Sequence, residues 1–175
     1  YTTPITFYGS DNPFDAKVIA HYYDPADKRF VIEFDKALTV IKKQAFCHYA
    51  NNDTHHIRRM LLPESLTTIE EQAFWNTELV SIVIPGAVNH IGHRAFESCD
   101  YLRSLTFEPS PTNTPVEIGY ARMGARDENK IGPFGNSPLR EIYVNRNFSD
   151  NLFKPTNHNE GILASSHAYA AYPVI

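Results

Sequence analysis

The sequence predicts a repeat solenoid, α/β to mainly β in class, with a parallel sheet of about five short strands and a cap at each end. One observation is a phrase written twice. Leu62-Pro63, Leu66, Ile69, Ala73-Phe74 and Leu79 come first, then Ile84-Pro85, Val88, Ile91, Ala95-Phe96 and Leu102. Pro63 to Pro85, Ile69 to Ile91 and Phe74 to Phe96 are each 22 residues apart. A fixed period in the low twenties, with apolar residues in matching phase, marks stacked repeats. The other observation is that one such unit cannot enclose its own apolar set, so neighbouring units must complete its burial.

Within a unit, Ser81-Ile82-Val83-Ile84 alternates and reads as a short strand with Ile82 and Ile84 inward. Pro85 stops it, having no N–H to give a ladder. Val88 and Ile91 turn back inward, Ala95-Phe96 places a small residue beside a large one, and Leu102 closes the unit.

Residues 1–28 carry no repeat and read as an N-terminal β-hairpin cap. Ile5-Thr6-Phe7-Tyr8 suits a short strand, and Lys17–Tyr23 and Phe30–Phe34 suit two more, joined across Asp24-Pro25-Ala26-Asp27-Lys28. That linker is rich in turn-forming residues. The repeat region is expected over residues 29–148. Ile32, Phe34, Leu38, Ile41, Ala45 and Phe46 match Ile82, Ile84, Val88, Ile91, Ala95 and Phe96 at a constant offset of 50.

Two insertions are expected, near 48–56 and 108–130. Phe46 to Phe74 is 28 residues, the excess lying in the polar stretch His48–His56. Phe96 to Phe134 is 38, the excess lying in Pro109–Pro115 and the charged run Ala121–Lys130. Insertions of this kind map to loops on one side of a repeat stack. Ile131-Gly132-Pro133-Phe134 is expected to rejoin the pattern, and Ile142-Tyr143-Val144 to supply a fifth strand. Residues 149–175 lose the period and read as a C-terminal cap, with a partial further unit as the alternative.

A net charge of −4 without a dense Lys/Arg face argues against nucleic acid and acidic membranes as partners. No apolar run is long enough to span a membrane, so no membrane insertion is expected. The chain opens at Tyr1, with neither an initiator Met nor a signal peptide, which reads as a processed or trimmed fragment. Cys47 and Cys99 fall in units two steps apart. At ~4.8 Å per strand that is too far for a disulfide, so both are expected as free thiols.

The phrase Leu79-x-x-Ile82-x-Ile84-Pro85, then Val88-x-x-Ile91-Gly92-x-x-Ala95-Phe96-x-x-Cys99-x-x-Leu102, resembles the repeat of the BspA-like leucine-rich repeat family. The resemblance covers roughly residues 29–148. Unit two departs with Glu70 for Gly and Thr77 for Cys, and unit one with Asp35 for Pro. It implies a right-handed leucine-rich-repeat superhelix in a secreted or surface-attached protein. Relatives of this kind occur in anaerobic gut and oral bacteria, some as adhesins for host matrix or blood proteins. An extracellular, non-catalytic role without cofactor follows from the resemblance, with a protein partner such as a host extracellular protein. The family motif is a scaffold motif and carries over no ligand residues.

The strongest binding candidate is the outward face of the sheet. Stacking aligns Val31, Arg59, Ser81, Ser104 and Glu141 in one row, and Glu33, Leu61, Val83, Thr106 and Tyr143 in the next. Leu61, Val83 and Tyr143 form an apolar strip the core does not require, as interaction surfaces often do. An ordinary solvated sheet surface, or a strip covered by a long loop, is the plainer reading. The candidate residues are Arg59, Leu61, Val83, Thr106, Glu141 and Tyr143.

His90-Ile91-Gly92-His93 and Asp53-Thr54-His55-His56 fall short of the three or four converging ligands that zinc needs, so no metal site is expected. Trp75 suits rim packing better than sugar stacking. Nucleophile-elbow, phosphate-loop and zinc-protease motifs are missing, and no enzyme is expected. A structural spacer and a carbohydrate-binding module remain the alternative functions.

Overall fold

The computed structural model describes residue 7 and residues 12–48, 56–119, 121–122 and 130–146. The expected C-terminal cap over 149–175 and most of the 48–56 insertion lie outside the described residues. So does the proposed strand Ile5–Tyr8, apart from Phe7.

Strands β1 (Val18–Asp24) and β2 (Arg29–Phe34) pair antiparallel from Asp24↔Arg29 to Val18↔Phe34. The turn between them is the expected one. Asp24 accepts the Ala26 N–H at 2.9 Å, and Lys28 adopts the left-handed conformation at φ 53°. The sequence predicts β2 as the first strand of the parallel sheet, with Val31 and Glu33 in its outward rows. That is corrected: β2 pairs with β1 alone. A short turn delivers β1 at a lower loop-closure cost than a strand lying beyond the insertion after His48.

Seven of the remaining described strands form two parallel ladders, where one five-stranded sheet was expected. The longer strands are β5 (Ser81–Ile84), β7 (Ser104–Phe107) and β11 (Glu141–Val144), ordered β5-β7-β11. Their register is Ile82↔Leu105↔Ile142 and Ile84↔Phe107↔Val144. Arg58–Leu62 precedes β5 and joins it through one main-chain bond, from Val80 N–H to Arg58 C=O at 3.0 Å. The second ladder is built from two-residue strands. These are β3 (Val40–Ile41), β4 (Thr68–Ile69), β6 (His90–Ile91) and β8 (Glu117–Ile118), with Ile41, Ile69, Ile91 and Ile118 in one register. Two residues are too few to show alternation, so this ladder leaves no periodic trace in the sequence.

Between the ladders lies the core. Phe46, Phe74, Phe96 and Phe134 stack face to face, with ring centroids 5.0 Å apart at each step and interplanar angles of 10°, 3° and 3°. Leu79, Leu102 and Leu139 are fully buried. No α-helix occurs among the described residues; the fold is a repeat of strands and turns.

The small polar residue three places after each later phenylalanine donates to a phenylalanine carbonyl, in its own unit for Thr77 and in the unit before for Cys99 and Ser137. Thr77 donates to the Phe74 carbonyl at 3.1 Å, Cys99 to the same carbonyl at 3.2 Å, and Ser137 to the Phe96 carbonyl at 2.7 Å. Thr77 stands where the repeat has Cys, and its hydroxyl lies 3.3 Å from Cys99 Sγ. Gly92 and Gly119 answer a different need. A Cβ on Gly92 would stand 2.5 Å from the Glu71 nitrogen, and one on Gly119 2.7 Å from the His93 nitrogen. Glu70, in the same phase, instead turns its carboxylate to the Lys43 N–H at 2.8 Å.

At the N-terminal end, Pro13-Phe14-Asp15 stands in for a missing unit. In the next two units two successive amides donate to one carbonyl of the unit before, Thr67 and Thr68 to Thr39 and Asn89 and His90 to Thr67. At the first unit, the Thr39 and Val40 amides donate instead to Asp15 Oδ1, at 3.0 and 2.9 Å. The Thr39 hydroxyl donates to Asp15 Oδ2 at 2.5 Å. Pro13 C=O accepts the Lys42 N–H at 2.9 Å, as Ile41 C=O accepts that of Glu70.

The long unit is also laid out differently from the expected course. Ile118-Gly119, and not Ile131-Gly132, occupies the phase of Ile91-Gly92: Gly119 N–H bonds Ile91 C=O at 2.8 Å, as Gly92 N–H bonds Ile69 C=O at 2.7 Å. Two Ile-Gly pairs stand 13 residues apart in sequence, and pattern alone cannot choose between them. β8 therefore divides the stretch 108–130. Beyond it, β9 (Ala121–Arg122) and β10 (Lys130–Ile131) close antiparallel, and Gly132 C=O accepts the Arg94 N–H at 3.3 Å.

Candidate functional site

The solvent side of β5, β7 and β11 carries the candidate residues. Alternation in these strands buries Ile82, Leu105 and Ile142 and turns the residues between them outward. Register places Ser81, Ser104 and Glu141 in one row, and Val83, Thr106 and Tyr143 in the next. The Val80–Arg58 bond puts Arg59 and Leu61 in phase beside Ser81 and Val83. Leu61 is 82 % exposed, Val83 43 % and Tyr143 42 %, with half-buried Thr106 between the last two. Arg59 and Glu141 are exposed at opposite ends of the first row. Val31 and Glu33 are not on this face. Val31 pairs with Tyr22, and the Glu33 carboxylate accepts the Tyr22 hydroxyl at 2.8 Å.

A further row lies at the N-terminal edge of the same sheet, and sequence reading passed over it. The residue after each buried Ile57, Leu79, Leu102 and Leu139 is Arg58, Val80, Arg103 or Arg140. Main-chain bonds run from Arg140 N–H to Arg103 C=O at 2.8 Å, from Arg103 to Val80 at 2.9 Å, and from Val80 to Arg58 at 3.0 Å. The signal was present: three of four units place arginine in one phase.

The opposite ladder presents a shallow polar cleft of about 370 Å³, lined by Lys43, Glu70, Glu71, His90, Gly92, His93 and Gly119. Lys43, Glu71 and His93 stack in phase: Lys43 Nζ lies 2.8 Å from Glu71 Oε2, and His93 Nε2 3.2 Å from Glu71 Oε1. Burial pushes the Glu71 carboxyl up. The Lys43 hydrogen bond and the nearby His93 and Lys43 charges outweigh it and leave the carboxyl below its usual range. His90 stands 3.9 Å from Glu117. Among the described residues no three histidines, cysteines or acids converge as metal ligands; Asp53 and His55 lie outside those residues.

Cys47 and Cys99 are both buried, and no disulfide joins them. Burial pushes their thiols up to about 12 and about 11 respectively, which removes the thiolate that nucleophilic chemistry requires. Trp75 is half-buried beside Glu97, whose carboxyl burial pushes up despite Arg94 and the Trp75 hydrogen bond.

Against this geometry, a family model for the BspA type leucine rich repeat region matches residues 27–118 in six copies, more than half of the chain. The chain belongs to the BspA-type leucine-rich repeat family. No curated protein and no solved structure matches it. The match ends at Ile118, where the BspA-type register meets the β9–β10 pair. BspA-type repeats are protein-interaction modules by class, generally without catalysis and typical of surface proteins. No described helix is long and apolar enough to cross a membrane.

Proposed function

We propose that this chain is an extracellular, non-catalytic protein-interaction module of a bacterial surface protein, adhesin-like in action, that binds a host extracellular protein. Its units stack as a right-handed solenoid. The β1–β2 hairpin caps its N-terminal end. The observation that carries the reading is the row Leu61, Val83 and Tyr143, apolar and exposed on a sheet that buries its other side. Solvating such groups serves no folding purpose, and exposed apolar strips often mark interaction sites. Thr106 lies within the strip, and Arg59 and Glu141 supply polar contacts beside its two ends.

The test is binding to a panel of purified extracellular matrix and plasma proteins, with Arg59→Glu and Tyr143→Ala beside the parent chain. Weakened binding in both variants, at unchanged melting temperature, supports the sheet face. Unchanged binding in both moves the site elsewhere on the chain. No binder in the panel favours a structural spacer.

A further inference from the structure

Taking the sheet face as the binding surface, we infer that its N-terminal edge selects an acidic extended segment of the partner protein, carrying apolar residues between its carboxylates. The arginine row is the reason. Arg58 is committed to Glu78, with Nε 3.1 Å from Oε2. Arg59, Arg103 and Arg140 have no carboxylate partner among the described residues. Arg103 donates through Nη1 to the Asp100 main-chain oxygen at 2.8 Å, which fixes the side chain and leaves its other donors available.

Arg103 and Arg140 stand on bonded neighbours, about 4.8 Å apart at the main chain. An anion held beside two neighbouring arginines is attracted by both. A guanidinium matches a carboxylate through two parallel N–H···O bonds. The row is cationic on a chain whose net charge is −4, so it is a local feature and not a consequence of composition. Glu141 is the acid of the outward rows and sits at the β11 end, leaving the Arg59 end cationic. Three residues further along each strand, Leu61, Val83 and Tyr143 offer apolar contact. An extended chain with carboxylates over the arginines and apolar side chains over this strip satisfies both rows at once.

Three synthetic peptides of one length test this by fluorescence anisotropy: leucine alternating with glutamate, with glutamine and with lysine. The expected result is glutamate-peptide binding that weakens with salt, on the order of tenfold tighter than the glutamine peptide. The Arg103→Gln/Arg140→Gln pair, and separately Arg59→Gln, reduces affinity for the glutamate peptide only. Thermal melts establish that each variant is folded. Equal binding of the glutamate and glutamine peptides, with Tyr143→Ala still weakening both, overturns the acidic preference and leaves the sheet face standing. Binding that responds to none of these variants overturns both. No peptide binding, or arginine-dependent binding of a heparin fragment alone, overturns the acidic protein segment.

Discussion

Asp15 presents to Thr39 the acceptor that Thr39 presents to Thr67: a carboxylate oxygen takes two successive amides where the next two units use a main-chain carbonyl. An unpaired N–H at the first rung would be costly where it is shielded from water. Replacing Asp15 with Ala leaves both amides without an acceptor and is expected to cost about 1–3 kcal/mol. Asp15→Asn, which keeps an oxygen in place, costs less. Urea unfolding followed by circular dichroism measures both.

The same contact gives the chain an acid dependence. Burial pushes the Asp15 carboxyl up, but the Thr39 hydroxyl and the Val40 and Thr39 amides together bring it below 3.8. Glu71 is lowered likewise from 4.5. A carboxyl lower in the folded state contributes stability that is full above its unfolded value and lost as pH falls through its folded value. The melting temperature should therefore hold down to about pH 5 and then fall. The double variant Asp15→Asn/Glu71→Gln starts lower and falls less steeply over that interval.

Much of this was legible in the sequence, and the failures have physical causes. The phases of Ile69 and Ile91, Phe74 and Phe96, and Leu79 and Leu102 are set by burial, which writes itself into composition at a fixed spacing. The second ladder was not legible, because Thr68-Ile69 and His90-Ile91 are too short to alternate. Nor was the partner of β2. Ile32 and Phe34 satisfy a parallel rung and a hairpin equally well, and hydrogen bonding decides between them. The outward rows Ser81–Ser104–Glu141 and Val83–Thr106–Tyr143 follow from phase alone. Arg103 and Arg140 obey the same phase, but they lie one residue outside the strands, where attention to alternation stops.

Gly92 and Gly119 test the closeness of stacking. Their absent Cβ atoms would meet main-chain nitrogens of the preceding unit, which cannot rotate away as a side chain could. Gly92→Ala and Gly119→Ala are each expected to cost roughly 1–3 kcal/mol through displaced backbone. Thermal melts in which either variant matches the parent would show that the units separate more freely than these distances allow.

The cysteines should be silent to reagents. With Cys47 pushed up to about 12 and Cys99 to about 11, and both buried, neither thiol offers appreciable thiolate at pH 8. Iodoacetamide followed by mass spectrometry should leave the native chain unmodified and add two labels in denaturant. Labelling of either thiol in native buffer, at a rate near that of the unfolded chain, would contradict their burial.

The phenylalanine stack distinguishes a nearest-neighbour fold from a single shared core. Each ring touches the next at 5.0 Å, so Phe96 contacts Phe74 and Phe134 but not Phe46. Truncating one ring should be severe: Phe96→Ala is expected to cost about 3–5 kcal/mol. Milder changes to leucine allow a double-mutant cycle. Phe74 and Phe96 are in contact and should couple by roughly 0.5–3 kcal/mol. Phe46 and Phe134 stand three steps apart, about 15 Å at one ring spacing per step, and should be additive. Equal coupling in the two pairs would mean that stability is shared across all units at once, and that stacking unit on unit is not how this chain holds together.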